Sequence, residues 1–221
     1  MAGSTTVAGA LQPKQSELET RGGHRVAFVP TSSALGLEAL AEGSADIAMI
    51  SSPLSEIAAD VNDRGSHHVD LRDFQAAVIG AVNLRFIVNP HNPIRKVTAA
   101  QLADLLCGRI LSWSEIGGLD QPVQVVSLGA PSALLRDNLM HGKSFPKNVR
   151  LVLSADRTSS IVAANQNAIG IISEAHKRGL TSILQTDVIL SAPLFLVTKG
   201  DPKPEQTKLI EAARAILAPA N

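Results

Sequence analysis

The chain contains no tyrosine, one tryptophan and five phenylalanines in 221 residues. Sites for sugars and quaternary amines are commonly built on aromatic faces, and this sequence has few to offer. A single cysteine, Cys107, excludes an internal disulfide. Beside Leu105 and Leu106 it reads as a small core hydrophobe rather than a nucleophile. No run approaches the roughly 20 apolar residues needed to span a bilayer. Met1-Ala2-Gly3 shows no signal peptide, which leaves a cytoplasmic protein or a mature chain freed of its leader. Charge of one sign is also lacking, because 20 basic and 20 acidic side chains cancel. Nucleic-acid binding usually leaves a basic stripe, and none is visible, so no nucleic-acid partner is expected. The densest basic stretch, His176-Lys177-Arg178, reads as the end of a short helix, where cations suit the dipole.

Catalytic signatures are missing too. There is no G-x-S-x-G elbow, no P-loop and no dinucleotide fingerprint. His67 and His68 are adjacent and cannot share one metal from a helix surface, and no histidine has a zinc-like spacing to Cys107. Asp46 is expected at a strand start, and Trp113 and Glu115 read as structural. No nucleophile is paired with a base. The chain therefore reads as a binding protein with no catalytic residue, no metal and no cofactor, rather than an enzyme.

What the sequence does have is a globular composition, 45% hydrophobic and 18% charged, long enough for one large domain or two lobes of about 100 residues each. Short apolar strands alternate with amphipathic helices, the α/β signature. Gly3 to Val7 reads as a loop with almost no strand before it. A helix is expected from Leu11 to Arg21 with Pro13 in its first turn, and a strand from His24 to Val29. Thr31-Ser32-Ser33 caps a helix from Leu35 to Ala41 that Gly43 stops, and Ala45 to Ile50 reads as a buried strand. Phe74 to Val88 is a long apolar run, read as two strands joined by a crossing. Thr98 and Gln101 form a capping box for a helix from Ala99 to Leu106, ended by Gly108. Val123 to Leu128 is a strand, and Ser132 caps the helix after it. A short helix from Ser159 to Asn165, strands at Ile169 to Ser173 and Pro193 to Thr198, and a helix from Pro204 to Leu217 complete the reading.

Hydroxyl-rich loops recur after strands and before helices: Ser4-Thr5-Thr6, Ser32-Ser33, Ser51-Ser52 and Ser132. Helix N-termini present unpaired N–H groups and partial positive charge, and nearby hydroxyls add donors. Any one such loop is ordinary capping. Several converging would bind an anion without a net basic protein, at the carboxyl ends of strands where open α/β sheets take ligands.

These segments resemble the phosphate-type substrate-binding proteins of ABC transporters. Gly3-Ser4-Thr5-Thr6-Val7 matches that family's opening loop, and Ser32-Ser33-Ala34-Leu35-Gly36 its Gly-Ser-Gly-Ala-Gly-like turn. Glu42 to Ala48 resembles its "EG-x-A-D-I-G" segment, and Ile87 to Pro93 its "IVNP-x-NP". Gly108-Arg109-Ile110 followed by Ser112 to Gly118 is similar to its Trp-containing stretch, and Asn167 to Ile171 to its "x-A-I-G-Y". The resemblance implies a two-lobe type II periplasmic-binding fold, with two interlobe crossings and a central cleft that closes on a tetrahedral oxyanion. The lobes would be residues 1–84 with 186–221, and residues 85–185. It places Thr5, Thr6, Ser32, Ser33, Ser51, Ser52 and Ser132 at ligand-contacting loops. Two features depart from the family. Ser51-Ser52 supply neither its Asp nor its Arg, and Ser127 to Leu134 keeps only Ser132 of its Arg and Gly-Ser-Gly-Thr loop. Arg136, one turn into the next helix, is the candidate substitute. The implied function is capture of phosphate or a similar oxyanion for a membrane permease, in the periplasm or another extracytoplasmic space. The alternative is a sensor or protein-interaction domain that kept the fold and lost or changed the anion.

Overall fold

The computed structural model describes residues 1–64, 68–129, 132–152, 154–174 and 180–218. His67, Ala130, Pro131 and the His176-Lys177-Arg178 stretch lie outside them. The chain divides into two compact units, Met1–Val82 with Ala192–Asn221, and Asn83–Ser191.

Unit 1 is built on strands β1 (Ala2–Ser4), β2 (Val29–Thr31), β3 (Ala48–Ile50), β9 (Ser191–Lys199) and the first part of β4 (Phe74–Val88). Their order is β2-β1-β3-β9-β4. β1 runs parallel to β2 and β3, while β9 is antiparallel to β3. Helices cover both faces. On one, Val7 and Leu11 of α1 (Thr5–Leu11), Leu18 of α2 (Gln15–Gly22) and Ile210, Ala213 and Ile216 of α8 (Pro204–Leu217) pack with Met49 and Leu196. On the other, Ala34, Leu37 and Leu40 of α3 (Ser33–Glu42) join Ala58 and Val61 of α4 (Leu54–Arg64) over Ile50 and Val197. The three-residue spacing of 34, 37 and 40 puts one stripe of α3 inward. Gly43, at φ 78°, then ends the helix in a left-handed turn that a side chain would resist.

Unit 2 centres on the order β8-β4-β7-β5-β6, with β5 (Gln124–Leu128), β6 (Arg150–Val152), β7 (Ala168–Ser173) and β8 (Ser182–Leu184). β4 is antiparallel to β7 and β8, and β5 is parallel to β6 and β7. One face carries α5 (Ala99–Cys107), Trp113 and α6 (Ala133–Asn138), and the other carries α7 (Ala155–Ala164). The Thr98/Gln101 capping box opens α5 as expected. Trp113 is 1% exposed, and its indole N–H donates to Asn167 O at 3.0 Å. Glu115 Oε1 accepts the N–H groups of Leu111 and Ser112, which fixes the turn around the tryptophan. Both residues are structural. Cys107 packs against the same core, and burial pushes its thiol pKa up.

Several boundaries differ from expectation. Ala2–Ser4 does form a strand, and helix begins at Thr5, well before Leu11. Ser4 supplies the reason, since its side chain caps that helix. Pro13 sits in a short 3-10 turn, Gln12–Lys14, between α1 and α2. The expected strand from His24 shrinks to Val29–Thr31, because β1 is only three residues long and pairs only those. β3 likewise starts at Ala48 rather than Ala45, so Asp46 lies before the strand. Phe74–Val88 is one continuous strand rather than two, and the boundary between units falls inside it after Val82. α7 begins four residues earlier than Ser159, where Ser154 caps it through Arg157 N–H.

Candidate functional site

In unit 1 the carboxyl ends of β1 and β3 deliver two serines to the start of α3. Ser4, the last residue of β1, is 4% exposed. Its Oγ accepts the N–H groups of Thr6 and Val7 at 3.2 and 3.4 Å, which caps α1. The same hydroxyl donates to Ser51 Oγ at 2.9 Å. Ser51 follows β3, and its backbone N–H donates to Ser33 Oγ at 3.3 Å, on the first residue of α3. Three hydroxyls from three chain segments thus form one connected set beside the N-termini of two helices.

Close backbone approach makes this convergence possible. A Cβ on Gly36 would lie 2.5 Å from Gly3 Cα and 2.7 Å from Ala2 O, and one on Gly3 would lie 2.4 Å from Met49 O. The absent side chains let α3 sit against β1, and β1 against β3.

The proton inventory defines what the set can do. Ser33 and Ser51 oxygens each accept one bond from within the set, and neither hydroxyl donates to any described residue. Thr5 and Thr6, the half-buried first residues of α1, also leave their hydroxyls unpaired among the described residues. No described lysine or arginine bonds to the serines. The arrangement is a bank of neutral donors, aided by two helix dipoles.

The remaining candidates fall differently. Ser32 is the exposed N-cap of α3 and accepts Leu35 N–H at 3.2 Å. Ser52 is half-buried and makes no side-chain bond to a described residue. Ser132 caps α6 in unit 2 by accepting Leu135 N–H at 3.4 Å. Arg136 donates its Nε–H to the neighbouring Asp137 at 3.1 Å, so its guanidinium is engaged within α6.

Glu56 escaped the sequence reading, which named Ser4 only as part of its hydroxyl-rich loop. Ser4 joins the set, and the signal was present in a serine immediately before a run that becomes helix. Glu56 lies in the first turn of α4, which follows Ser51-Ser52-Pro53, and its Oε1 is buried with no partner among the described residues. A lone acceptor so close in sequence to the donor set carries chemical information of its own.

The profile of the PBP superfamily domain matches residues 1–213. The chain belongs to the PBP superfamily. The fold agrees. A protein of Clostridium perfringens, assigned as a phosphate ABC transporter substrate-binding protein and solved with bound phosphate, superposes with a TM-score of 0.79 at 23% identity, covering 98% of this chain and 95% of that one. An ABC-type phosphate transport receptor of Vibrio cholerae gives 0.66 at 24% identity over 97% and 92%. Reduced OxyR of Neisseria meningitidis gives 0.68 at 14% identity over 98% and 94%. Likeness at these identities shows the fold alone, and the site must decide function. Among the described residues, no helix is long and apolar enough to cross a membrane, and no histidine, cysteine and carboxylate group could hold a metal ion.

Proposed function

We propose that this PBP superfamily member is an extracytoplasmic solute-binding protein that captures a tetrahedral oxyanion, phosphate above others, for an ABC transporter permease. The observation that carries the reading is the connected Ser4–Ser51–Ser33 set, with unspent hydroxyl donors at two helix N-termini. Donors without acceptors suit an acceptor-rich ligand. Two relatives by fold are named for phosphate transport, which fits that chemistry.

Glu56, three residues after Pro53 in the segment that carries Ser51, is the group proposed to prefer phosphate over sulfate. A buried carboxylate oxygen with no donor can accept a proton that the ligand itself carries. Phosphate near neutral pH retains a proton and sulfate does not. Sulfate would meet that carboxylate with acceptors only, and like charges repel.

Calorimetry on unfolded and refolded protein, freed of carried-over ligand, tests this with phosphate, sulfate and molybdate. Phosphate is expected to saturate one site. Ser33→Ala and Ser51→Ala should each weaken it about 10-fold, the loss of one hydrogen bond to a charged group. Glu56→Gln should narrow the preference for phosphate over sulfate. Absence of heat with all three anions, from folded protein, would remove the oxyanion reading.

A further inference from the structure

A second binding feature lies wholly within unit 2, in a cavity of about 380 Å³ at the edge of β4. Its origin is a break in strand pairing. Phe86 of β4 pairs with Leu184 of β8, and a regular antiparallel ladder would set Leu84 against Thr186. Leu84 N–H donates instead to Leu190 O at 2.8 Å. The chain from Gln185 to Ile189 therefore bulges away from β4, and the space under the bulge is the cavity.

The bulge is held from outside. Gln185 N–H donates to Arg95 O at 2.8 Å, and its carbonyl accepts Val97 N–H at 3.0 Å. Asp187 Oδ1 accepts Ala99 N–H at 2.7 Å, at the N-terminus of α5. None of these bonds needs a ligand, so the cavity is preformed. Its volume falls within the ~300–1,000 Å³ typical of small-molecule sites.

Two cations and two carboxylates stand around it, and they are not equally engaged. Asp187 is engaged by the α5 terminus, and Glu174 carries an ion pair with Arg85 at 3.0 Å. Lys96 lines the cavity, and its ammonium has no partner among the described residues. Arg85 also lines it, and its Nε is buried without an acceptor. Leu84, Val188 and Ile189 supply apolar wall, and Ile189 is left 80% exposed. One free ammonium and one unpaired guanidinium N–H beside an apolar surface suit an amphiphilic guest.

We propose that this cavity binds a small organic monoanion, a carboxylate met by Lys96 and Arg85 with a short apolar body against Leu84, Val188 and Ile189. The site is independent of the serine set in unit 1.

Nitrogen-15 NMR titration of the full chain with cyclohexanecarboxylate tests the assignment, with cyclohexylamine as the charge-reversed probe. Saturable shifts are expected at residues 84–86 and 183–189, and none there from the amine. Lys96→Met, an exposed change that should leave the apo spectrum folded, is expected to weaken the carboxylate at least 5-fold. Ser51→Ala should leave it unchanged. Shifts absent from these residues, an affinity indifferent to Lys96, or loss of binding in Ser51→Ala would each overturn the proposal, and the last would assign the carboxylate to the serine set.

Discussion

At the residue scale, Gly36 shows how a small side chain decides a site. In sequence it belonged to a glycine-like loop motif, yet it lies inside α3. Alanine there would gain about 1 kcal/mol of helix propensity. It would also place a methyl carbon 2.5 Å from Gly3 Cα, against backbone that cannot move aside cheaply. Overpacking of this kind costs about 3 kcal/mol at the upper end of its range. Gly36→Ala is therefore expected to destabilise the protein by about 2 kcal/mol in urea unfolding, and to weaken oxyanion binding by separating Ser33 from Ser51. A variant as stable as the parent would refute the close approach. Asp70 offers a different reading. The side chain of Arg72 bonds its carboxyl, and the Arg72 backbone N–H adds a second bond, holding the pKa down to about 2 against an ordinary 3.8. The native state thus prefers the charged form. The pair contributes above about pH 3.8, and its contribution is lost as pH falls from there through 2. An NMR titration should place the Asp70 midpoint near 2, moving up in Arg72→Ala and in high salt, because the pair is exposed.

At the element scale, legibility followed from how local the determining interaction was. The α5 capping box was readable because Thr98 and Gln101 are three residues apart and each satisfies the other's backbone. The start of α1 was not, because Ser4 acts both as strand residue and as cap, and its partner Ser51 is 47 residues away. β4 was misdivided because Gly80 and Asn83 look like breaks, whereas neighbouring strands continue on both sides of them. Of the candidate site, the serines of unit 1 could be nominated from their loops. Their hydrogen bonding could not, nor could the engagement of Arg136 by Asp137, since pairing depends on rotamers and packing. The Ala-Ile-Gly motif of β7 has a plain physical cause. A Cβ on Gly170 would lie 2.7 Å from Val162 Cγ2 and 2.9 Å from Thr158 Cγ2, so the glycine lets α7 lie close on the sheet. Gly170→Ala is expected to cost about 1–2 kcal/mol in the same urea assay, less than the steric part at Gly36 because side-chain methyls yield more readily than backbone. A neutral result would mean that α7 is not seated on β7 as described.

At the scale of the whole molecule, each unit has its own apolar clusters, and the chain passes between them twice, at Ser191–Ala192 and within β4, a strand of 15 residues with paired segments in both. Separate cores favour separate unfolding. A shared strand favours one transition, because melting unit 1 frees the first part of β4 and leaves its remainder in unit 2 attached to a disordered chain. Trp113 can decide between these. It is the sole tryptophan and is buried in the core of unit 2, so its fluorescence reports that unit alone. Far-ultraviolet circular dichroism reports both. Gly36→Ala places its lesion entirely in unit 1. If β4 couples the units, the fluorescence midpoint in urea should fall together with the dichroism midpoint, and the two curves should coincide as two-state unfolding requires. If fluorescence holds its parental midpoint while dichroism splits into two steps, the units melt independently and β4 transmits no stability. Phosphate sharpens the test. At about 100 times its dissociation constant, a ligand that binds only the native state adds about 2.7 kcal/mol. Donors in unit 1 alone would stabilise only the dichroism step of uncoupled units. In coupled units, phosphate would raise the tryptophan transition too, from serines that lie in the other unit.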